Sequence, residues 1–238
     1  RKCDIKTKSL EMNAKWQLWK ILRLWSILRS FHPDILQSFL FFDNILARVI
    51  GKLAGVPIIL SGQRNARYQS KIRLSFEKLT LPFADRVVSN TEAGKQVLIA
   101  QLGVDPDKIE VIENGLSLPV KNRPAEELKL AQDKFHLGFV GHLTKQKGVD
   151  VLLHAMSHLR HKTDIICSII GDGQEREALE RLADELELKP AVRFLGAQER
   201  AAELMRAFDV LVLPSRWEGM PNVVMEALVR GVPVIASK

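Results

Sequence analysis

Short apolar runs alternate with longer amphipathic stretches along most of the chain. In the second half, Leu137–Val140, Ile165–Ile170, Val192–Leu195, Val210–Leu213 and Val232–Ile235 read as buried strands. Residues 149–161, 174–187, 199–207 and 222–230 between them carry helical patterning. In 174–187, Leu179, Leu182, Ala183 and Leu186 share one face, with Glu and Arg opposite. Strands that alternate with amphipathic helices predict right-handed βαβ units and a parallel, doubly wound sheet.

The first half repeats the alternation less cleanly. A basic helix near 14–31 leads into Asp34-Ile35-Leu36-Gln37-Ser38, then a helix near 43–54 and the strand Pro57–Leu60. A polar stretch and another helix precede Arg86–Ser89, a helix over 92–102 and the strand Ile109–Ile112. Asn114-Gly115 is a turn signal that closes this half. The pattern predicts two α/β domains, 1–118 and 135–238, joined by a proline-containing, charged linker over 119–134.

Composition fits this reading. With 238 residues, 46% hydrophobic and 26% charged, the chain is not of a disordered, collagen-like or disulfide-stapled class. Its two cysteines, Cys3 and Cys167, form no disulfide framework or paired metal-ligand spacing, which predicts a reducing, cytoplasmic setting. No apolar stretch is long enough to span a membrane, and the start Arg1-Lys2-Cys3-Asp4 has no signal-peptide core.

The net charge of +7 is concentrated in residues 1–119, which hold 18 Lys and Arg against 11 Asp and Glu; the remainder holds 17 of each. This predicts an anionic partner for the first half, such as a membrane surface or a charged acceptor. Nucleic acid is not expected, because no Lys and Arg run is interleaved with aromatics. The 14–31 helix carries Trp16, Trp19, Ile21, Leu22, Trp25, Leu28 and Phe31 beside Lys15, Lys20, Arg23 and Arg29. It has two readings, a membrane-interface helix or a crossover helix packed on the first sheet. Arg64, Asn65 and Arg67, followed by Lys71 and Arg73, add positive charge suited to steering an anionic acceptor.

Two stretches carry chemistry. The turn after Leu137–Val140 reads Gly141-His142-Leu143-Thr144-Lys145-Gln146-Lys147-Gly148. Gly141 permits close backbone approach, while His142 and Lys147 can both reach back over the turn to a diphosphate. The alternative is a solvated basic loop whose glycines only permit turns. The second stretch, Pro214 through Leu228, includes Glu218, Gly219, Met220, Pro221, Asn222, Val223 and Glu226. Pro221 suits a helix start, with the amides of Asn222, Val223 and Val224 open to an anion. Glu226 then lies roughly 7.5 Å along the axis at ~1.5 Å per residue, where a ribose would fall if phosphates sat at the helix start. A carboxylate repels phosphate but accepts hydrogen bonds from sugar hydroxyls, which suits Glu226 to a ribose and Glu218 to a sugar beyond the diphosphate. Lys147 would neutralise the charge between them. In the competing view, Glu226 is an exposed helix residue balancing Arg230 at i+4.

The segment Ser215-x-x-Glu218-Gly219-x-Pro221-x-x-x-x-Glu226-Ala227 resembles the signature of retaining GT-B glycosyltransferases of family 4 (group 1). Ala84-Asp85-Arg86-Val87-Val88 and Val111-Ile112-Glu113-Asn114-Gly115 resemble the end of that family's acceptor domain. Gly138 through Gly148, Ile170-Gly171-Asp172-Gly173 and Val192-Arg193-Phe194-Leu195-Gly196 resemble its donor domain. The resemblance runs from about Pro33 to the last residue. It implies two Rossmann-like domains, the first incomplete at its opening strand and the second lacking its closing helices.

The resemblance further implies that Lys147 grips the donor diphosphate, Glu226 the ribose and Glu218 the transferred sugar. Gly219 to Val223 would offer backbone amides, and Phe194, Leu195 and Gly196 would border the nucleobase. Activity would be retaining sugar transfer from a nucleotide-sugar to a glycan or lipid-linked hydroxyl, without metal or cofactor, at the inner face of a membrane. This chain has His142 where the family usually has Arg, and the loop Gln37 to Asn44 lacks the histidines often found there. A non-catalytic nucleotide-sugar-binding or membrane-adaptor protein of the same fold is the alternative. A Rossmann dehydrogenase is disfavoured because no Gly-x-Gly-x-x-Gly follows a strand.

Overall fold

In a computed structural model, residues 18–64, 71–116, 134–159, 161–162 and 164–237 are described, apart from the side chains of 18–20. They fall into two compact units that divide between Glu113 and Asn114. Several sequence expectations lie outside the described residues: those for Cys3, Lys15, Trp16, Asn65 and Arg67, for the Trp19 and Lys20 side chains, and for nearly all of the linker over 119–134.

The first unit runs α1 (Leu18–Phe31), β1 (Ile35–Ser38), α2 (Phe41–Ala54), β2 (Ile58–Gln63), α3 (Lys71–Thr80), β3 (Arg86–Ser89), α4 (Glu92–Val97) and β4 (Ile109–Val111). Its four strands are parallel and lie in chain order β1-β2-β3-β4. β2 extends past its expected end at Leu60 because Ser61, Gly62 and Gln63 keep pairing, with Ser38 on one side and with Val87, Val88 and Ser89 on the other. The helix expected over 92–102 changes pitch at Leu98, where a π-helical turn runs to Leu102.

Helix α1 packs along α2, burying Leu28, and Trp25 Nε1 donates to the Leu53 carbonyl at 3.4 Å. This packing is on α2, where the crossover reading expected the first sheet, and Leu22 and Phe31 remain outward. Beneath α2 and α3 lies a buried polar network. Arg48 pairs with Glu77, its Nε donates to Ser61 Oγ at 2.8 Å, and its Nη1 reaches Thr80 Oγ1. A charge this deep is tolerated because it is paired and its donors are satisfied.

The second unit runs β5 (Phe135–Val140), α5 (Val149–His158), β6 (Ile165–Ile170), α6 (Arg176–Glu185), β7 (Val192–Gly196), α7 (Ala201–Leu204), β8 (Val210–Leu213), α8 (Asn222–Leu228) and β9 (Val234–Ala236). All strands are parallel, in the order β7-β6-β5-β8-β9. Both sheet faces are covered, so side chains that alternate along β6 enter different cores. Cys167 and Ile169 join Phe139, Leu152, Leu153 and Leu179 beneath α5 and α6. Ile170 joins Met205, Phe208, Leu211 and Ala227 on the other face. Truncating one such leucine to alanine costs about 2–5 kcal/mol. The expected α/β class with two parallel sheets is the observed one, and the helix expected over 199–207 is a single α-turn followed by a 3-10 turn.

Candidate functional site

The strand order of the second unit locates the site. From β5 the chain winds outward through β6 and β7, then returns to the other side of β5 with β8 and β9. The winding direction therefore reverses between β5 and β8. Crevices at the carboxyl ends of such strands are where open α/β sheets bind ligands. The two loops leaving those strands are Gly141–Gly148 and Pro214–Pro221, the two stretches that carry the candidate chemistry.

Backbone fit holds the loops together. Gly148 has φ +62, and a Cβ there would lie 2.1 Å from the Pro214 carbonyl oxygen. Arg216 N–H donates to Gln146 O at 2.8 Å, and Gln146 Nε2 donates to Trp217 O at 3.0 Å. The Arg216 guanidinium donates to Lys145 O at 2.6 Å and to Asp150 Oδ1 at 2.9 Å. Beside Arg216, the Asp150 carboxyl is held below its ordinary range. A third loop packs on the first from the β6 side. Gly171, at φ +140, has no room for a Cβ, which would meet Gly141 O at 1.9 Å. Leu143 N–H donates to Asp172 O at 3.0 Å.

Lys147 and Glu218 meet in this crevice. Lys147 Nζ donates to Glu218 Oε1 at 2.6 Å, and both side chains are about four-fifths buried, with 20% relative exposure each. A Cβ on Gly141 would sit 3.9 Å from Lys147 Cδ, so the lysine stem does run back over the turn. His142 is exposed; its Nδ1 lies 3.0 Å from the Asp172 carbonyl, a contact in which the ring nitrogen donates. Asp172 is itself held below the usual carboxylate range, first by the Gly173 N–H and then by Arg176.

Glu226 is half-buried on α8, and among the described residues its carboxylate has no partner. Arg230 does not pair with it, because its Nη1 donates instead to the Glu226 backbone carbonyl at 2.7 Å. Two sequence expectations about α8 need correction. Pro221, at φ −73 and ψ 109, stands one position before the first helical residue. Val224 N–H is spent on the Pro221 carbonyl at 3.1 Å, which leaves Asn222 and Val223 as the first-turn amides without a backbone acceptor.

Phe194, Leu195 and Gly196 close β7 beside this third loop. Gly171 N–H donates to Gly196 O at 2.8 Å, Phe194 leans on the α5/α6 core, and Gln198 Nε2 donates to Leu195 O at 2.6 Å. Gly219 and Met220 lie partly buried between Glu218 and α8. Asn114, read from sequence as a turn and as part of a stretch that resembles the family's, does more. Its Nδ2 donates to Met220 O at 3.2 Å and to Asn222 Oδ1 at 2.8 Å, fixing the entry to α8. No local signal couples residues 106 and 108 positions apart. In the first unit Arg64 is exposed, its guanidinium 4.6 Å from the Phe39 ring centroid. Among the described residues no group of three His, Cys, Asp or Glu is placed to hold a metal ion.

Two family models divide the chain between them. Residues 5–118 match Glycosyltransferase Family 4, and residues 120–238 match Glycosyl transferases group 1. The UDP-Gal:alpha-D-GlcNAc-diphosphoundecaprenol alpha-1,3-galactosyltransferase of Escherichia coli is 29% identical over 91% of this chain and 61% of its own length. The putative glycosyltransferase EpsF of Bacillus subtilis is 31% identical over 82% of this chain and 55% of its own. The chain thus spans somewhat more than half the length of these curated relatives. Among solved structures, Anabaena Alr3699/HepE in complex with UDP and glucose aligns with TM-score 0.83 at 21% identity, covering 92% of this chain and 62% of that one. The apo lipopolysaccharide outer core galactosyltransferase WaaB aligns with TM-score 0.65 at 22% identity, covering 94% and 63%. These structural likenesses support the GT-B fold class, and with its two halves matched end to end the chain belongs to glycosyltransferase family 4, the group 1 glycosyl transferases.

Proposed function

We propose that this protein transfers a hexosyl group from a uridine diphosphate sugar to an acceptor hydroxyl, with retention of anomeric configuration. The observation that carries the reading is the trio at the switch point: the Lys147 ammonium, Glu218 beside it, and the unpaired, half-buried Glu226 carboxylate on the helix that follows. Lys147 takes the diphosphate, Glu226 accepts hydrogen bonds from the ribose hydroxyls, and Glu218 does the same for the transferred sugar. Gly219, Met220, Asn222 and Val223 supply amides, His142 adds positive potential, and Phe194 to Gly196 border the base. UDP is favoured because Alr3699/HepE holds UDP and the Escherichia coli relative is named for UDP-Gal.

In the transfer, the bond from the anomeric carbon to the diphosphate oxygen breaks and a bond to the acceptor oxygen forms on the same face. The acceptor proton leaves with the diphosphate. Fixed positive charge at the departing oxygens stabilises the charge that develops there. The acceptor is proposed to be lipid-linked, as in the name of the Escherichia coli relative, and Arg64, Asn65 and Arg67 are proposed to face it. Work at the inner membrane face follows as a peripheral attachment; among the described residues no helix is long and apolar enough to cross a bilayer.

A thermal-shift panel of UDP, GDP, ADP and their sugars tests donor recognition, with UDP species expected to stabilise most. A hundredfold excess over the dissociation constant stabilises by about 2.7 kcal/mol. Anomer-resolved product analysis with UDP-hexoses and a short-chain polyprenyl-diphosphate acceptor tests transfer. Tight UDP binding without turnover would favour the non-catalytic alternative, and no nucleotide binding would overturn both.

A further inference from the structure

Helix α3 is built inside out. Its polar residues Glu77 and Thr80 are buried against Arg48, while Ile72, Phe76 and Leu79 stand 71%, 50% and 72% exposed. These three follow i, i+4, i+7 and so form one outward stripe, which Phe83 continues just past the helix end. The arrangement follows from the core of this unit. Buried Arg48 requires a counter-charge, α3 supplies it, and of its large apolar residues Leu74 packs on the core.

The stripe is bordered by cations. Lys71, Arg73 and Lys78 lie on the same helix, and among the described residues none of them forms an ion pair. The Arg73 guanidinium sits 5.2 Å from the Phe41 ring centroid and 5.7 Å from that of Phe42, and Arg64 stacks on Phe39. Leu40, Phe39 and Phe42 are exposed as well. The patch thus starts at the carboxyl edge of the first sheet, at the turn that leaves β1 and at Arg64 just past β2, and runs along α3 to Phe83, ahead of β3.

We infer that this face, rather than α1, docks on an anionic lipid surface, with Ile72, Phe76, Leu79 and Leu40 entering the interface and Arg64, Arg73, Lys71 and Lys78 meeting the headgroups. Large apolar residues flanked by Lys and Arg have the composition that binds at a charged membrane surface. A second copy fits less well, because symmetric pairing would set one cationic patch against another. The inference rests on the membrane-peripheral reading above and gives it a location. Docked this way, the turn that leaves β1 lies at the lipid surface from which a lipid-linked acceptor would arrive.

The test is co-sedimentation of the full chain with vesicles of phosphatidylcholine alone and of phosphatidylcholine mixed equally with phosphatidylglycerol. Binding to the anionic vesicles is expected to be stronger by about tenfold or more at low salt, and the difference should shrink as salt is added. Lys71→Gln and Arg73→Gln should each weaken it about fivefold. The triple change Ile72→Ser, Phe76→Ser, Leu79→Ser should abolish it, whereas Leu22→Ser on α1 should leave it intact. A Phe76→Trp variant, which keeps an aromatic residue at this position, should blue-shift in fluorescence with anionic vesicles and be quenched by brominated acyl chains. Equal binding to both vesicles, retained binding by the triple variant, or an unshifted emission spectrum of the Phe76→Trp variant would overturn the inference. So would concentration-dependent dimerisation that the triple change abolishes. Calorimetric UDP affinity, measured without vesicles, should be unchanged in every variant, so a failure of donor binding is read separately from a failure of docking.

Discussion

Replacing Glu218 by glutamine should make the protein bind UDP more tightly while it transfers sugar more slowly. Lys147 Nζ is held by Glu218 at 2.6 Å, with each side chain 20% exposed. An arriving diphosphate must displace that carboxylate and then remain beside it. A charge-assisted hydrogen bond contributes about 1.5–3 kcal/mol when shielded, and fully exposed ion pairs about 0.2–1 kcal/mol. At this partial burial the competition amounts to roughly 1–2 kcal/mol. Glu218→Gln should therefore tighten UDP by about 5- to 30-fold in calorimetry. The same change removes the charged acceptor for the sugar hydroxyls, so kcat/KM for the UDP-sugar should fall by roughly 10- to 100-fold. Lys147→Met, the control, should weaken UDP and slow transfer together. If Glu218→Gln weakened UDP as Lys147→Met does, the carboxylate would be supporting nucleotide binding and the competition would not exist.

Other expectations follow from single positions. Gly148→Ala places a Cβ at φ +62 and 2.1 Å from the Pro214 carbonyl oxygen, so it should lower the urea midpoint by an amount worth about 1–2 kcal/mol or more and impair UDP binding. His136 is buried with Nε2 on Ser168 Oγ at 2.8 Å, and burial lowers its pKa below the ordinary 6.5. The unfolded chain then takes up the proton first, so the stability contribution of neutral His136 is complete above about pH 6.5 and is lost as pH falls below it, by at most about 1.4 kcal/mol per unit. His136→Gln should flatten that part of the pH profile of urea midpoints; an unchanged slope would place the acid sensitivity elsewhere. Burial pushes the Cys167 thiol up to about 12, so alkylating reagents should label it only at the rate of unfolding of the second unit.

Much of the second unit is legible in the sequence because its strands are covered on both faces. Ile165–Ile170 is apolar apart from Ser168 and Val210–Leu213 is continuously apolar, and the helices between them have polar outer faces. β2 is harder to bound, since Ser61, Gly62 and Gln63 are polar yet extended, held by neighbouring strands rather than by local preference. Asp85 shows how a family motif acquires a physical reason. Its Oδ2 accepts Ile59 N–H at 2.8 Å and its own N–H reaches the Ile59 carbonyl, which ties the approach to β3 onto β2.

The identities of Lys147, Glu218 and Glu226 are readable in the sequence, but their partners are not. Lys147 and Glu218 are 71 positions apart, and nothing local says that each satisfies the other. Arg216–Asp150 and the Asn114 clamp are equally remote in sequence. Periodicity also fails for α3, because it reveals a stripe without revealing which side faces in. There the buried Arg48, on another helix, decides the orientation.

The most direct test is a crystal structure of the protein with UDP-hexose bound. The account predicts that Lys147 Nζ leaves Glu218 for the diphosphate oxygens, that Glu226 accepts from both ribose hydroxyls, and that Glu218 turns to the hexose. A bound nucleotide with Lys147 still on Glu218 and Glu226 facing solvent would contradict it.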